Sequence, residues 1–266
     1  MNSSDTMELS FLASTDASRI AFILLVLMII SIFVGRKIGY LKKQGTGQES
    51  AANSTILSAM LGLLAFLLAF TFGMSGSRYD SRRSHIINEA NAIGTAILRA
   101  DLYSDVEREA FRNDFKLYLE TRIRYYEENQ SFAEILKVKK EADALGAQIW
   151  KRCTRLSKDS GNSVASLQMT TALNEMLDIS TTRYIAELSR VPDSIVWMLL
   201  VLSLSAAFYV GYVSSGKALD WLMVSGFCIL TSVVVYITLD LDRPRRGLIQ
   251  LSTSHKAMVE LREMFN

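Results

Sequence analysis

The chain has 266 residues, half of them hydrophobic, and 29 basic against 27 acidic side chains leave a net charge of +2. Its mean hydropathy of +0.20 is too high for an ordinary soluble protein, while 21% charged residues is too many for a chain lying wholly in lipid. The near-neutral balance gives no general grip on nucleic acid, and two cysteines without motif spacing speak against a disulfide framework or a zinc site.

Taken in order, residues 1–19 are polar and slightly acidic, without the basic start and small-x-small cleavage site of a secretory signal, and read as retained. Residues 20–34, IAFILLVLMIISIFV, are the first expected span. Arg36, Lys37, Lys42 and Lys43 follow it, and the glycines and serines of QGTGQESAANS end the helix. Residues 54–76 carry no charge and, at about 1.5 Å per residue, are long enough to cross a roughly 30 Å hydrocarbon core. No proline or turn cluster interrupts the continuation SRYDSRRSHIINEANAIGTAILRADL. One helix is therefore expected to leave the membrane and run on into water.

Between Arg78 and Arg190 the pattern is that of amphipathic helices: Ile86, Ala90, Ile93 and Ile97 recur at three and four, as do Phe111, Phe115, Tyr118, Leu119 and Ile123. Three or four helices are expected, broken near Tyr103, near Asn129 and at Gly161. Val191-Pro192 closes this segment, and residues 194–213 and 221–239 form two more spans with Trp197, Tyr209, Tyr212, Trp221 and Tyr236 near their ends. The expected fold class is thus an all-α integral membrane protein of four transmembrane helices, with an extramembrane helical domain inserted between the second and third. The corresponding boundaries are 1–76, 77–191, 192–239 and 240–266. Parity puts the N-terminus, the helical domain and the C-terminal tail on one side. The positive-inside rule does not choose that side, because basic residues flank both faces.

Three constellations could carry chemistry. Arg78, Asp80, Arg82 and Arg83 follow the second span, and Asp240, Asp242, Arg243, Arg245 and Arg246 follow the fourth, so both clusters leave the membrane on one face. They would form either an anion-concentrating vestibule, with Asp240 or Asp242 clamped to Arg78 or Arg82, or ordinary interfacial head-group contacts. Leu63, Phe66 and Phe70 share a helix face and would form a hydrophobic constriction in a ring of subunits, or a plain packing stripe. Within NEANAIGTA, Glu89 reads as a buried hydrogen-bonded acid or cation ligand, or as a partner of Arg82 or Arg83. His85 and His255 fit no metal or triad pattern and no glycine loop cradles phosphate, so neither an enzyme nor a cofactor or metal is expected.

The combination LGLLAFLLAFTF, SRYDSRR, NEANAIGTA and, after two further spans, LDRPRRGLI resembles the bacterial bestrophin-like family over residues 61–251. Residues 61–83 are also similar to the corresponding stretch of bestrophin ion channels, where a leucine-rich, phenylalanine-containing span runs into a tyrosine-aspartate-arginine signature matched by Tyr79, Asp80 and Arg82 or Arg83. That resemblance implies a homo-oligomer, pentameric in bestrophins, that conducts inorganic ions, with anions the expected cargo, across the bacterial inner membrane. It further implies a pore lined by the second span, Phe66 and Phe70 as its neck, and a cytoplasmic helical domain and termini. The alternative is a non-conducting membrane protein whose helical domain binds a partner or senses membrane stress.

Overall fold

The computed structural model describes residues 15–46, 51–126, 132–215, 220–243, 245, 248–249 and 251–265. Among them the regular elements are helical: α1 (Ala17–Thr46), α2 (Ala51–Arg99), α3 (Asp105–Arg124), α4 (Phe132–Leu156), α5 (Ser163–Leu188), α6 (Asp193–Val213), α7 (Trp221–Leu241) and α8 (Ser252–Glu260), with short 3-10 turns at Ala100–Leu102, Ser160–Asn162 and Leu261–Phe265. Four stretches, carried by α1, α2, α6 and α7, are long and apolar enough to cross a membrane. As the absence of a breaker predicts, α2 is a single helix of 49 residues. Tyr103 ends its 3-10 extension in an extended conformation, and the Asp159 carboxylate turns the chain before α5 by accepting from Gly161 N at 3.2 Å. The expected break at Asn129 lies outside the described residues.

Contacts divide the chain into two compact units, residues 1–78 with 190–248 and residues 79–189 with 249–266. In the first, α1 and α6 meet backbone to backbone. A Cβ added at Gly35 would stand 2.0 Å from the Phe208 carbonyl oxygen, and one at Gly211 2.0 Å from that of Ile32. Ser31, one turn before Gly35, donates through Oγ to the Leu204 carbonyl at 3.0 Å. Lipid tails are as apolar as leucine, so helices in a bilayer associate through such close contact rather than by escaping water. Around this seam α7 adds Cys228, Val235 and Leu239 to a core containing Leu24, Met28, Ala206 and Ala207. Pro192 separates α5 from α6, and the buried Asp242 carboxylate accepts from Val191 N at 2.9 Å, pinning the residue before that proline.

In the second unit the C-terminal half of α2 packs with α3, α4, α5 and α8. Ile93 and Ile97, Phe111 and Phe115, Ile149, Leu173, Met176 and Met258 are completely buried in one core. The apolar repeat read from the sequence accounts for the faces turned inward. The tail joins this core through Met258 in α8, and through Leu261 in the following turn, which touches the open side of Gly94.

Gly211→Ala should lower the unfolding midpoint in detergent, because a 2.0 Å approach forces α1 and α6 apart at a cost of about 1–3 kcal/mol. Gly226→Ala, where an added Cβ meets nothing within 4 Å, should leave the midpoint unchanged or raised. Equal midpoints for the two variants would refute the close-contact seam.

Candidate functional site

The membrane part of α2 is little covered by its own chain. In its most apolar window 11% of residues are buried, against 33% for α1 and 39% for α7. Leu64, Thr71 and Ser75 form its inward edge, with Thr71 Oγ1 donating back to the Leu67 carbonyl at 2.8 Å. On the other side Leu63, Phe66 and Phe70 are 52, 64 and 52% exposed. The two phenyl rings stack with centroids 6.3 Å apart. The structure thus brings the three sequence-predicted constriction residues onto one uncovered face.

The arginines beyond the span have different fates. Arg83 and Asp80 are exposed and Arg78 is half-buried, but Arg82 is 2% exposed. Its Nε donates to the Ala186 carbonyl at 3.2 Å and its Nη2 to the Ser189 carbonyl at 2.6 Å. These lie at the C-terminal end of α5, where carbonyls lack helical partners and the dipole favours a cation. Arg82 is therefore bound up with the end of α5 rather than facing open solvent as the vestibule reading expects. Asp240 and Asp242 are buried as well: both oxygens of Asp240 accept from Leu248 N, at 3.2 and 3.1 Å, and Asp242 holds Val191. Arg243 is buried and Arg245 half-buried, whereas Arg246 lies outside the described residues.

Glu89 is completely buried, and its partners are not Arg82 or Arg83. Arg122 Nε from α3 donates to Oε1 at 2.5 Å, and Arg183 Nη1 from α5 donates to Oε2 at 2.6 Å. A second acid, Glu187, accepts from Arg183 Nε at 3.2 Å and from the Tyr125 hydroxyl at 3.1 Å. The Tyr125 ring lies 4.7 Å from the Arg122 guanidinium carbon and 5.5 Å from that of Arg183. Burial by itself would raise the Glu89 pKa, but the two guanidiniums outweigh it and hold the carboxyl below its ordinary range. The same acid raises the pKa of Arg122, against the pull of burial. Two acids and two bases thus balance inside the helical unit. Arg122 and Arg183 were missed by the sequence reading, although each interrupts an apolar register: Phe111, Phe115, Tyr118, Arg122 on α3, and Met169, Met176, Arg183 on α5.

A model of the bestrophin-like domain matches residues 22–255. The chain belongs to the bestrophin-like family. Among solved structures, that of a bacterial bestrophin homolog from Klebsiella pneumoniae is similar at 14% identity and a TM-score of 0.62, over 91% of this chain and 96% of that one. That of a membrane protein carrying a serine-to-alanine substitution is similar at 13% identity and a TM-score of 0.67, over 93% and 97%. No curated protein sequence matches. At these identities the structural likeness speaks for the fold.

The tail of this bestrophin-like protein is tied to the same network. Tyr126, beside Tyr125, accepts from Leu251 N through its hydroxyl at 3.1 Å and stacks on His255 with centroids 4.5 Å apart. Arg262 grips Glu120 through both carboxylate oxygens, at 2.7 and 2.6 Å. Arg112 Nη1 donates to the Met264 carbonyl at 2.8 Å. Burial, then the nearby Arg183 and Arg262, lower the His255 pKa from 6.5 to about 4.

Glu89→Gln leaves two buried cations short of a counter-charge and should cost about 3–5 kcal/mol in chemical unfolding. A change under about 1 kcal/mol would mean that the network contributes little. The His255 shift gives a second expectation. A released tail takes a proton below pH 6.5 and a docked tail only below about 4, so docking is fully favoured above pH 6.5 and weakens as pH falls towards 4. Amide exchange of residues 252–265, corrected for intrinsic rate, should quicken over that window in the wild type and not in His255→Phe.

Proposed function

We propose that this bestrophin-like protein is an ion channel, a ring of identical chains with α2 lining the pore and Leu63, Phe66 and Phe70 forming a hydrophobic constriction. The observation that carries the reading is the uncovered phenylalanine pair on the least covered span of a bestrophin-like fold. Stacked aromatic side chains around a closed axis would gate by dewetting. Glycine placement supports assembly. Gly35 and Gly211 are required by packing within the chain, whereas a Cβ at Gly62, Gly73 or Gly76 of α2 meets nothing within 4 Å. Small residues with no use inside one subunit suit the close approach of another. The ring would be a pentamer by likeness to bestrophins. Anions are the proposed cargo, drawn by Arg78 and Arg83, while the ends of Arg82 serve α5. The helical unit and both termini would face the cytoplasm of a bacterial inner membrane, leaving Arg36, Lys37, Lys42 and Lys43 on the opposite side.

A second reading, a non-conducting membrane protein whose helical unit docks a partner, is favoured by Val106, Val164 and Leu167, apolar side chains 78, 74 and 69% exposed.

Chloride and sodium flux should be measured through liposomes holding the purified protein and the Phe66→Ala, Phe70→Ala double variant, with oligomer mass determined on each sample. The expected result is a closed ring that passes chloride in preference to sodium, and several-fold more ion in the double variant, because the constriction is widened. A well-folded ring passing neither ion in either form, or a monomer, would leave the docking reading standing.

A further inference from the structure

Helix α4 is the most basic element of the helical unit, with Lys137, Lys139, Lys140, Lys151, Arg152 and Arg155 against Glu134, Glu141 and Asp143. Its inner side buries Val138, Ala142, Ile149 and Cys153. On the outer side Lys137, Lys140, Ala144, Ala147 and Lys151 are exposed at spacings of three and four, which makes them one stripe of a helix with 3.6 residues per turn. The acids of α4 border this stripe and do not interrupt it. All three lie roughly 80–100° round the helix from its middle, and Glu141 is paired with Arg124 and Asp143 with Lys139. Glu107 and Asp114 engage the other bases, Arg152 and Arg155. Among the described residues, Lys137, Lys140 and Lys151 are left without an ion-pair partner.

We propose that this stripe docks an acidic helix of another protein. Lysines unanswered within their own chain attract an anionic surface, and their arrangement narrows the choice of surface. Lys140 and Lys151 stand about 17 Å apart along the axis, with the small Ala144 and Ala147 between them. A second helix can therefore come close between two basic ends. An anionic lipid surface is better met by lysines set among bulky apolar or aromatic side chains, and a nucleic acid by a denser row of bases. The partner face that fits carries acids in two groups about 17 Å apart, with small or apolar residues between them. Docking of this kind needs neither conduction nor a ring, and it weakens as salt screens the pairs.

The full chain in nanodiscs of neutral lipid is titrated with a fluorescent alanine-based helical peptide whose glutamates follow the spacing of Lys137, Lys140 and Lys151. A peptide of the same composition, with its glutamates spread round the helix, is the control. The patterned peptide should bind about tenfold more tightly than the control, the gain expected from a few exposed ion pairs made together. Reversing Lys140→Glu and Lys151→Glu together should abolish that preference, with the unfolding midpoint and oligomer mass unchanged. The same change of charge at the exposed Lys37 and Lys42, Lys37→Glu with Lys42→Glu, should leave it intact. Equal binding of the two peptides, or a preference that survives the reversal on α4, overturns the proposal. Binding to phosphatidylserine vesicles that is lost in the α4 variant, without any preference between the peptides, overturns it in favour of a lipid surface.

Discussion

A carboxylate with no water around it has to be answered by cations, and the helical unit is arranged around that requirement at Glu89. Arg122 and Arg183 approach the two oxygens of this one group from different helices. Sliding α3 or α5 by a single turn would carry a guanidinium about 5.4 Å away and strand charges in the core. The pairing contributes specificity of register more securely than net stability, since desolvating three charges offsets much of their attraction. Tyr125 is shared between the guanidiniums, and its neighbour Tyr126 holds the tail, so the constraint extends from α2 to α8.

The first unit is built under the opposite condition. Where lipid removes the hydrophobic drive between helices, α1 and α6 are joined by the absence of side chains at Gly35 and Gly211. The span of α2 has glycines too, yet they meet nothing from the same chain, and its large side chains point outwards. A bilayer would accept those phenylalanines as readily as a neighbouring subunit would. Glycines that meet nothing within the chain leave room for the close approach of another subunit that the proposed ring would need.

The helices were legible because their signals are local. An apolar run gives the spans, a three-four repeat gives the amphipathic elements, and the lack of any breaker between Gly76 and Arg78 gives the long α2. Partners were not legible. For an ion-paired Glu89 the sequence offers Arg82 and Arg83, because those cations are close along the chain, whereas the real partners are 33 and 94 residues away. The available signal was subtler: a charge of either sign at a core position of an apolar repeat implies a counter-charge in the same core, and Glu89, Arg122 and Arg183 each occupy such a position. The seam between α1 and α6 was missed for a related reason. Ser31, Gly35 and Gly39 recur every four residues, but a small residue shows its purpose only when the opposing backbone is known.

The fate of Arg82 bears on how charge at the end of a span should be read from a bestrophin-like sequence. Three arginines just outside a span look like a ring of positive charge in waiting. Yet a helix end buried nearby has carbonyls that must be satisfied, and a guanidinium with a planar fork is well suited to two of them. Once its donors are so engaged, Arg82 is held in place and lies behind the helix surface rather than on it. Its field still acts at a distance, but it is weakened by the carbonyl dipoles beside it. On α2 itself the charge that reaches solvent just beyond the span is that of Arg83 and the half-buried Arg78, with Asp80 opposing them. In the channel proposed above, the sign of the preferred ion would then depend on a small difference among these three groups rather than on an accumulation of arginine.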